Sequence, residues 1–206
     1  FSIIPLFGIV IAFQKYSPSA GIFGSQFVDF YNFKRLFSRA DFSQALFNTV
    51  YIAMWKIVFT TVLSIVLALL LNEMVTKRGQ KWIQTIVFLP YFLSWALIGS
   101  VFVEIFSLDG LANKILLSIN PTAEKIDFLA RNEYFRTIII GTDLWKNLGY
   151  QAVVYLASIA TVDPSLYEAS RVDGANRWQQ CIYITIPGIM TMIVLTSVLN
   201  IGNIMN

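Results

Sequence analysis

The sequence predicts an all-α polytopic membrane protein, and three observations support this. Hydrophobic residues make up 56% of the 206-residue chain, and the mean hydropathy is +0.64. Charged residues make up 13%, well below the roughly 25% that soluble domains carry. Several apolar runs reach about 20 residues, the length a helix needs to cross the hydrocarbon core of a bilayer. We therefore expect several helices embedded in a lipid bilayer.

Composition and short motifs exclude several other classes. The net charge is +3 without a basic tail, so the sequence offers no support for binding nucleic acid. Cys181 is the single cysteine, which rules out an internal disulfide. The chain contains no histidine, so it has no histidine-based metal site and no histidine-dependent catalytic triad. It also lacks a Gly-x-x-x-x-Gly-Lys-Ser/Thr sequence, so we expect no phosphate-binding loop.

Five apolar segments are predicted to span the membrane. Their approximate ranges are 1–13, 42–73, 82–106, 135–161 and 188–206. At 1.5 Å per residue the first covers only about 20 Å, so we interpret it as the second half of a longer helix. The last segment also stops abruptly, so we expect a chain truncated at both ends.

Local signals mark the boundaries of these segments. Asp41 is predicted to cap the second helix, and Pro90 to kink the third. The connecting segments 14–41 and 107–134 contain turn residues, and 111–119 is predicted to form a short amphipathic helix on the membrane surface.

A polar island at 163–187 separates the last two spans. Asp163 and Pro164 are typical of a helix start, and Gly174 is suited to the left-handed turn that ends a helix. Asn176 can cap a second short helix that runs through Trp178 and Ile182. These residues predict a helix–turn–helix that lies at a membrane surface.

This island resembles the EAA loop of permease subunits in binding-protein-dependent ABC importers. That pattern is Glu-Ala-Ala, three residues, Gly, nine residues, Ile, one residue, Leu-Pro. Here it becomes Glu168-Ala169-Ser170, Gly174, Ile184 and Ile186-Pro187 with the same spacing throughout. Ser170 and Ile186 depart from the pattern but roughly keep size and shape.

The resemblance implies the fold and the partners. It implies the helices of a type I ABC importer transmembrane domain, with at least one further span beyond residue 206. It implies a second homologous permease subunit, a cytoplasmic ABC ATPase dimer that binds ATP and Mg, and an extracellular or periplasmic solute-binding protein. The chain itself would be a non-catalytic, multi-pass subunit of the bacterial plasma (inner) membrane, with no cofactor or metal of its own.

The resemblance also implies sidedness. Lys77, Arg78 and Lys81 form a dense basic connection that favours the cytoplasm, although basic residues in the other loops leave total counts undecided. Alternation puts this connection on the same side as the island, and the family puts that side in the cytoplasm. Segments 14–41 and 107–134 would then be external loops.

The same resemblance assigns the loop to coupling with the ATPase. In the family, Glu168 would make a polar contact with the ATPase, Ala169 and Ser170 would allow close approach, and Gly174 would supply the turn. The residues that we predict for this role are Tyr167, Glu168, Ala169, Ser170, Asp173, Gly174 and Arg177. The plainer alternatives are that Gly174 only stops a helix and that Glu168 is a solvated charge.

A second resemblance concerns the substrate. The aromatic- and glycine-rich stretch 14–40 is similar to the external loop of a subgroup of maltose-type importers that handles complex oligosaccharides, with alginate- and pectin-derived sugars among them. It implies import of oligosaccharides or other carbohydrates.

The span at 135–161 carries a polar stripe. At 100° per residue, Asn147 and Tyr150 lie within about 40–60° of Asp143, and Gln151 within about 80°. Lipid does not accept such a stripe, so it faces protein or a water-filled path. We predict that Asp143, Asn147, Tyr150 and Gln151 line a route for a polar solute; the alternative is a buried hydrogen-bond seam between helices.

Lys56 lies near the middle of its span, where a bare ammonium would cost several kcal/mol. Its depth differs from that of Asp143 by about 5 Å, so we include Lys56 in the path and expect Asp143 or Glu104 to neutralise it. Lys146 could compete for Asp143, and snorkelling of Lys56 towards water is the alternative.

A different class of function stays open. An ion-coupled secondary transporter for a polar solute could use Asp143 or Glu104 as the titrating group and Lys56 as its counter-charge. An intramembrane hydrolase is poorly supported, because the chain has no histidine and no convincing nucleophile–base arrangement.

Overall fold

The computed structural model describes residues 4–202 and confirms the all-α class. The chain divides into two compact units, residues 1–51 and 52–206. The predicted end segments 1–13 and 188–206 fall partly outside the described residues, because 1–3 and 203–206 are not included.

The first unit contains more regular structure than the predicted loop at 14–41. A 3₁₀ helix, Ile4–Phe13, leads into a two-stranded antiparallel ribbon of β1 (Gln14–Lys15) and β2 (Gln26–Phe27). Two short helices follow β1 and β2 respectively, α1 (Gly21–Gly24) and α2 (Tyr31–Phe37). This segment is therefore folded rather than irregular.

The capping prediction for Asp41 is wrong. The long helix α3 (Ala40–Asn72) begins one residue earlier, so Asp41 lies in its first turn. There it pairs with Arg39 at 3.5 Å, and both side chains are exposed. An acidic residue in the first turn still favours the helix, through the macrodipole rather than through a cap.

The second unit consists of the rest of α3 and a series of further helices. They are α4 (Lys77–Phe88), α5 (Trp95–Phe106), α6 (Leu111–Ile119), α7 (Asn132–Ile159), α8 (Pro164–Val172), α9 (Arg177–Gln180), α10 (Ile186–Gly188) and α11 (Met190–Gly202). The predicted helix at 111–119 is confirmed as α6. Asn113 on α6 is buried and donates to the carbonyls of Ser107 (3.1 Å) and Ile126 (2.9 Å), which ties the segment after α5 together.

The core of this unit lies between α3, α7 and the start of α11. Ala68, Tyr155, Ile159 and Ile189 are buried together in one cluster. The hydroxyl of Tyr155 meets the hydroxyl of Thr196 at 2.8 Å, so the largest core side chain also has a polar partner. Such pairing is required because an unpaired buried hydroxyl is costly.

The third predicted span, 82–106, is interrupted rather than kinked. Helix α4 begins at Lys77 and ends at Phe88, a 3₁₀ turn covers Leu89–Phe92, and α5 begins at Trp95. Pro90 lacks an N–H and its ring clashes with the preceding turn, so the α-helix cannot continue through it. Ser94 then starts α5 afresh, because its side chain accepts a hydrogen bond from the Leu97 N–H at 3.2 Å.

Within residues 4–202, length and apolar composition allow two helical stretches to cross a membrane, Ala40–Asn72 and Trp95–Ile119. A third candidate is the pair Arg177–Gly188 and Met190–Gly202, which is bent by 58°. Helix α7 contains Asp143 and Lys146 near its middle and is not among these candidates. The membrane boundaries given above therefore stay predictions.

Gly149 allows α7 to approach α4 closely. A Cβ atom at this position would lie 1.9 Å from the carbonyl oxygen of Val87 and 2.3 Å from its carbonyl carbon. Backbone atoms cannot move aside as a flexible side chain can, so only glycine fits this crossing.

We expect Gly149→Ala to force α4 and α7 apart, and overpacking of this kind typically costs about 1–3 kcal/mol. The measurement is the thermal unfolding midpoint of the detergent-purified protein, which should fall. Gly141→Ala is the matched control on the same helix, because nothing lies within 4 Å of its added Cβ. Equal midpoints for the two variants would contradict the proposed backbone contact.

Candidate functional site

The polar island folds as the predicted helix–turn–helix. Asp163 precedes α8, and its carboxylate accepts a hydrogen bond from the Ser165 N–H at 2.9 Å. This bond lowers the pKa of Asp163 below its ordinary value. Because the folded-state pKa is lowered, the cap is present above the ordinary value and is lost as the pH falls towards the lowered one.

The turn between the two short helices has the expected geometry. Gly174 has a φ of +79°, the left-handed conformation that side chains disfavour. Asn176 and Gln179 form a reciprocal capping box, with bonds of 2.9 Å and 2.8 Å. The second helix is regular over Arg177–Gln180 and continues as a π-helix over Cys181–Thr185, so its prediction through Ile182 is confirmed.

Three of the predicted coupling residues contact this chain itself. The hydroxyl of Tyr167 meets that of Thr185 at 3.0 Å, and Thr185 is buried at the end of the π-helix. Ser170 accepts a hydrogen bond from the Gln180 side chain at 3.0 Å. Arg177 forms an ion pair with Glu73, which follows the end of α3. The first two contacts hold the loop to itself, and the Arg177–Glu73 pair, whose side chains are both exposed, joins it to the end of α3.

The outward surface of the loop holds the remaining predicted residues and three that the prediction missed. Glu168, Ala169, Asp173 and Gly174 are exposed. Among the missed residues, Val172 is 89% exposed, Trp178 72% and Leu166 50%. The sequence alone could have pointed to these three residues, because they are apolar side chains within a polar segment. Together these residues form a mixed polar and apolar surface, here called the loop surface.

The polar face of α7 contains the predicted ion pair. Lys56 Nζ lies 2.7 Å from Asp143 Oδ1, and Asp143 is buried whereas the Lys56 side chain keeps 34% of its surface exposed. Among the ion pairs of residues 4–202, Lys56 is joined to Asp143 and not to Glu104. Two turns further along α3, Ser64 donates to the Leu148 carbonyl at 3.0 Å, so α3 and α7 share a polar seam.

Lys146 does not compete for Asp143. Its ammonium donates to the carbonyl of Tyr91 at 2.9 Å and to that of Leu93, both at the break between α4 and α5. It also lies 5.3 Å from the ring centre of Trp95. Lys146 is buried, so it satisfies carbonyls that the helix break leaves without intrahelical partners.

The predicted path residues do not all share one surface. Asp143 and Gln151 are buried, and the described residues offer no hydrogen-bond partner to Gln151 Oε1. Tyr150 is 41% exposed and stacks on Tyr91 with ring centres 4.3 Å apart and planes 8° apart. Asn147 is half-buried. The prediction that these four residues line a solute path stays a prediction. Asp143 also takes part in the polar seam between α3 and α7, which agrees with the alternative of a buried seam between helices.

Comparison with known proteins identifies what this chain resembles. The sequence model of the family described as "Binding-protein-dependent transport system inner membrane component" matches residues 61–206. The polygalacturonan/rhamnogalacturonan transport system permease protein YteP of Bacillus subtilis is 39% identical over 98% of this chain and 63% of its own length. Protein LplB of the same organism is 37% identical over 100% of this chain and 64% of its own length. The chain thus spans less than two thirds of these relatives.

Solved structures agree with these sequence matches. A chain of a bacterial ABC transporter involved in the import of the acidic polysaccharide alginate superposes with a TM-score of 0.84 and 33% identity. The match covers 99% of this chain and 68% of that one. A bacterial alginate ABC transporter in complex with an alginate pentasaccharide-bound periplasmic protein gives a TM-score of 0.85, 35% identity and coverage of 99% and 67%.

We expect the Lys56–Asp143 pair to behave as one unit. Lys56→Met and Asp143→Leu should each lower the free energy of unfolding by about 1–3 kcal/mol, less than for a fully buried pair because Lys56 is partly exposed. The double variant should recover part of this loss, since it leaves no unpaired charge. The measurement is a double-mutant cycle on thermal unfolding of the purified subunit. Strictly additive losses would contradict the pairing.

Proposed function

Because this chain belongs to the family of binding-protein-dependent transport system inner membrane components, we propose that it is the transmembrane permease subunit of an ATP-driven ABC importer for oligosaccharides. The observation that carries the proposal is the helix–turn–helix of α8 and α9, which exposes the loop surface while the chain has no nucleotide-binding motif of its own. A subunit of this kind couples to an ATPase rather than hydrolysing ATP.

The coupling would be mechanical. The loop surface docks on a cytoplasmic ATPase, and movement of the ATPase is passed to the spans through contacts that hold α8 and α9. Tyr167–Thr185 connects α8 to the segment that leads into α10, and Arg177–Glu73 connects α9 to the end of α3. These fixed contacts favour rigid-body motion, because a loosely attached loop would absorb the displacement.

The remaining parts of the assembly follow the family. A second homologous permease would complete the translocation path, an ATPase dimer would bind ATP and Mg, and an extracellular or periplasmic solute-binding protein would deliver the substrate. The complex would lie in the bacterial plasma (inner) membrane. The solved alginate transporter in complex with a periplasmic protein supports a solute-binding protein among these partners.

We propose an oligosaccharide as substrate and favour acidic ones. One relative is named for polygalacturonan/rhamnogalacturonan, and the matched solved structures are of transporters of alginate, which is an acidic polysaccharide. In this chain, the polar region of α7 contains two ammonium groups, those of Lys56 and Lys146, and one carboxylate, that of Asp143. The region therefore keeps an excess of positive charge. Tyr150 is exposed beside it, and an aromatic ring is a surface on which a sugar ring can stack.

The coupling role predicts a selective loss of one partner. Val172→Asp places a charge on an 89% exposed side chain, so we expect the subunit to fold and to retain the second permease but to lose the ATPase from a gentle pull-down. Ile119→Asp is the matched control, an aliphatic side chain of 79% exposure on α6, and it should retain both partners. Retention of the ATPase by Val172→Asp would contradict the docking role.

The same pull-down separates the proposal from an ion-coupled carrier, which the partly buried Lys56–Asp143 pair could otherwise serve. An importer subunit purifies with an ATPase and is inert alone. A secondary carrier purifies alone, takes up solute without ATP and stops when an ionophore collapses the ion gradient.

If Tyr150 lines the substrate path, its substitution should change the rate of uptake. We expect Tyr150→Leu to reduce uptake by the assembled importer about three- to tenfold, the range expected for loss of one aromatic contact. Tyr150→Phe, which keeps the ring and its stack on Tyr91, should stay near wild type. The measurement is the uptake of labelled trigalacturonate into proteoliposomes. ATPase activity in the absence of the binding protein shows whether the importer has assembled. Equal uptake by the two variants would remove Tyr150 from the path.

A further inference from the structure

Three cations at the start of α4 have no acidic partner within residues 4–202. Lys77, Arg78 and Lys81 are all exposed, and the first turn of α4 contains no acidic residue. Glu73, the nearest carboxylate before them in the chain, is paired with Arg177. The cluster therefore carries positive charge that this chain does not neutralise. The proposed ATPase coupling does not use it.

One face of α4 orders its exposed side chains by polarity. At 100° per residue, Lys81, Trp82, Thr85 and Ile86 lie within about 80° of Arg78, and so does Leu89, the first residue of the 3₁₀ turn that follows α4. Trp82 is 70% exposed, Ile86 66% and Leu89 62%. The opposite side of the helix packs inward, where Gln80 is buried and the Val87 carbonyl meets α7 at Gly149.

The depth of this face matches one leaflet of a bilayer. From Arg78 to Leu89 the helix rises about 16 Å, close to half of the roughly 30 Å hydrocarbon core. The order along the axis is cation, indole, then aliphatic side chain, with Thr85 between the indole and Ile86, where its hydroxyl donates to the Lys81 carbonyl at 2.9 Å. This is the order of phosphate, interface and acyl chain in a phospholipid, and tryptophan is enriched at the interface level. A protein partner would not require that order.

We propose that this face of α4 is a binding site for an anionic phospholipid. Arg78 and Lys81 hold the phosphate and the anionic headgroup, Trp82 lies at the glycerol level, and Ile86 and Leu89 contact the acyl chains. Charge complementarity selects an anionic lipid over a zwitterionic one, because each basic residue near the membrane surface adds attraction only for net negative charge. The occupied site neutralises the cations that the chain leaves unpaired.

The test uses the full-length subunit in its complete importer, purified in mild detergent. Native mass spectrometry measures the apparent Kd of the first bound phosphatidylglycerol and of phosphatidylcholine with the same acyl chains. We expect wild type to prefer phosphatidylglycerol. The double variant Arg78→Gln/Lys81→Gln should lose about fivefold in affinity for phosphatidylglycerol per cation removed, with little change for phosphatidylcholine.

The matched control removes the same charge elsewhere. Lys34→Gln/Arg35→Gln changes two exposed cations of α2 and should leave the preference for phosphatidylglycerol unchanged. If the double glutamine variant does not assemble, Arg78→Lys/Lys81→Arg should keep the preference, and Trp82→Ala should weaken the binding of both lipids.

Two results would overturn the proposal. One is an unchanged preference for phosphatidylglycerol in Arg78→Gln/Lys81→Gln. The other is an equal loss of that preference in the α2 control, which would mean that overall charge and not this face selects the lipid. If the α4 variant instead loses a protein subunit while its lipid affinity stays constant, the face belongs to that subunit.

Discussion

The packing of α4, α5 and α7 depends on how the chain satisfies the backbone at a broken helix. Pro90 interrupts the helix, and the interruption leaves carbonyls without partners in a chain too apolar to rely on water. Lys146 supplies the missing donors from α7, and Gly149 one turn later lets the two backbones meet. The stacked rings of Tyr91 and Tyr150 lie at the same junction. Lys146 is thus a structural link between two predicted spans.

Two further cations of the second unit are balanced by carboxylates. Lys56 is balanced by Asp143, and Arg177 is balanced by Glu73, so the ion pairs join elements that are far apart in the chain. The second of these pairs joins α9 to the end of α3, and the Tyr167–Thr185 contact holds α8 against the π-helix of the same loop. The proposed coupling requires both such contacts and an exposed docking surface, and Val172 and Trp178 are exposed.

Much of the site was predictable because its signals are local. The cap at Asp163, the positive φ of Gly174 and the capping box of Asn176 each depend on a few neighbouring residues, and all three follow from residue type and spacing. The ion pair of Lys56 was also predictable, because a mid-span ammonium requires a carboxylate and few were within reach. The cap at Asp41 was wrong because α3 begins at Ala40, and residue type places a helix end only to within one or two residues.

By itself, the sequence determined the helical class, the helix–turn–helix at 163–187 and the family to which its spacing belongs, since these rest on composition and short-range geometry. Only the tertiary structure decided which partner each polar side chain contacts. Tyr167 and Ser170 are half-buried and Arg177 is exposed, and all three have partners that lie 10 or more residues away in the chain. Proximity on one helix makes Lys146 a competitor for Asp143, but the carbonyls that accept its hydrogen bonds belong to a helix break more than 50 residues away in the chain. Periodicity cannot reveal such partners, because it describes one helix at a time.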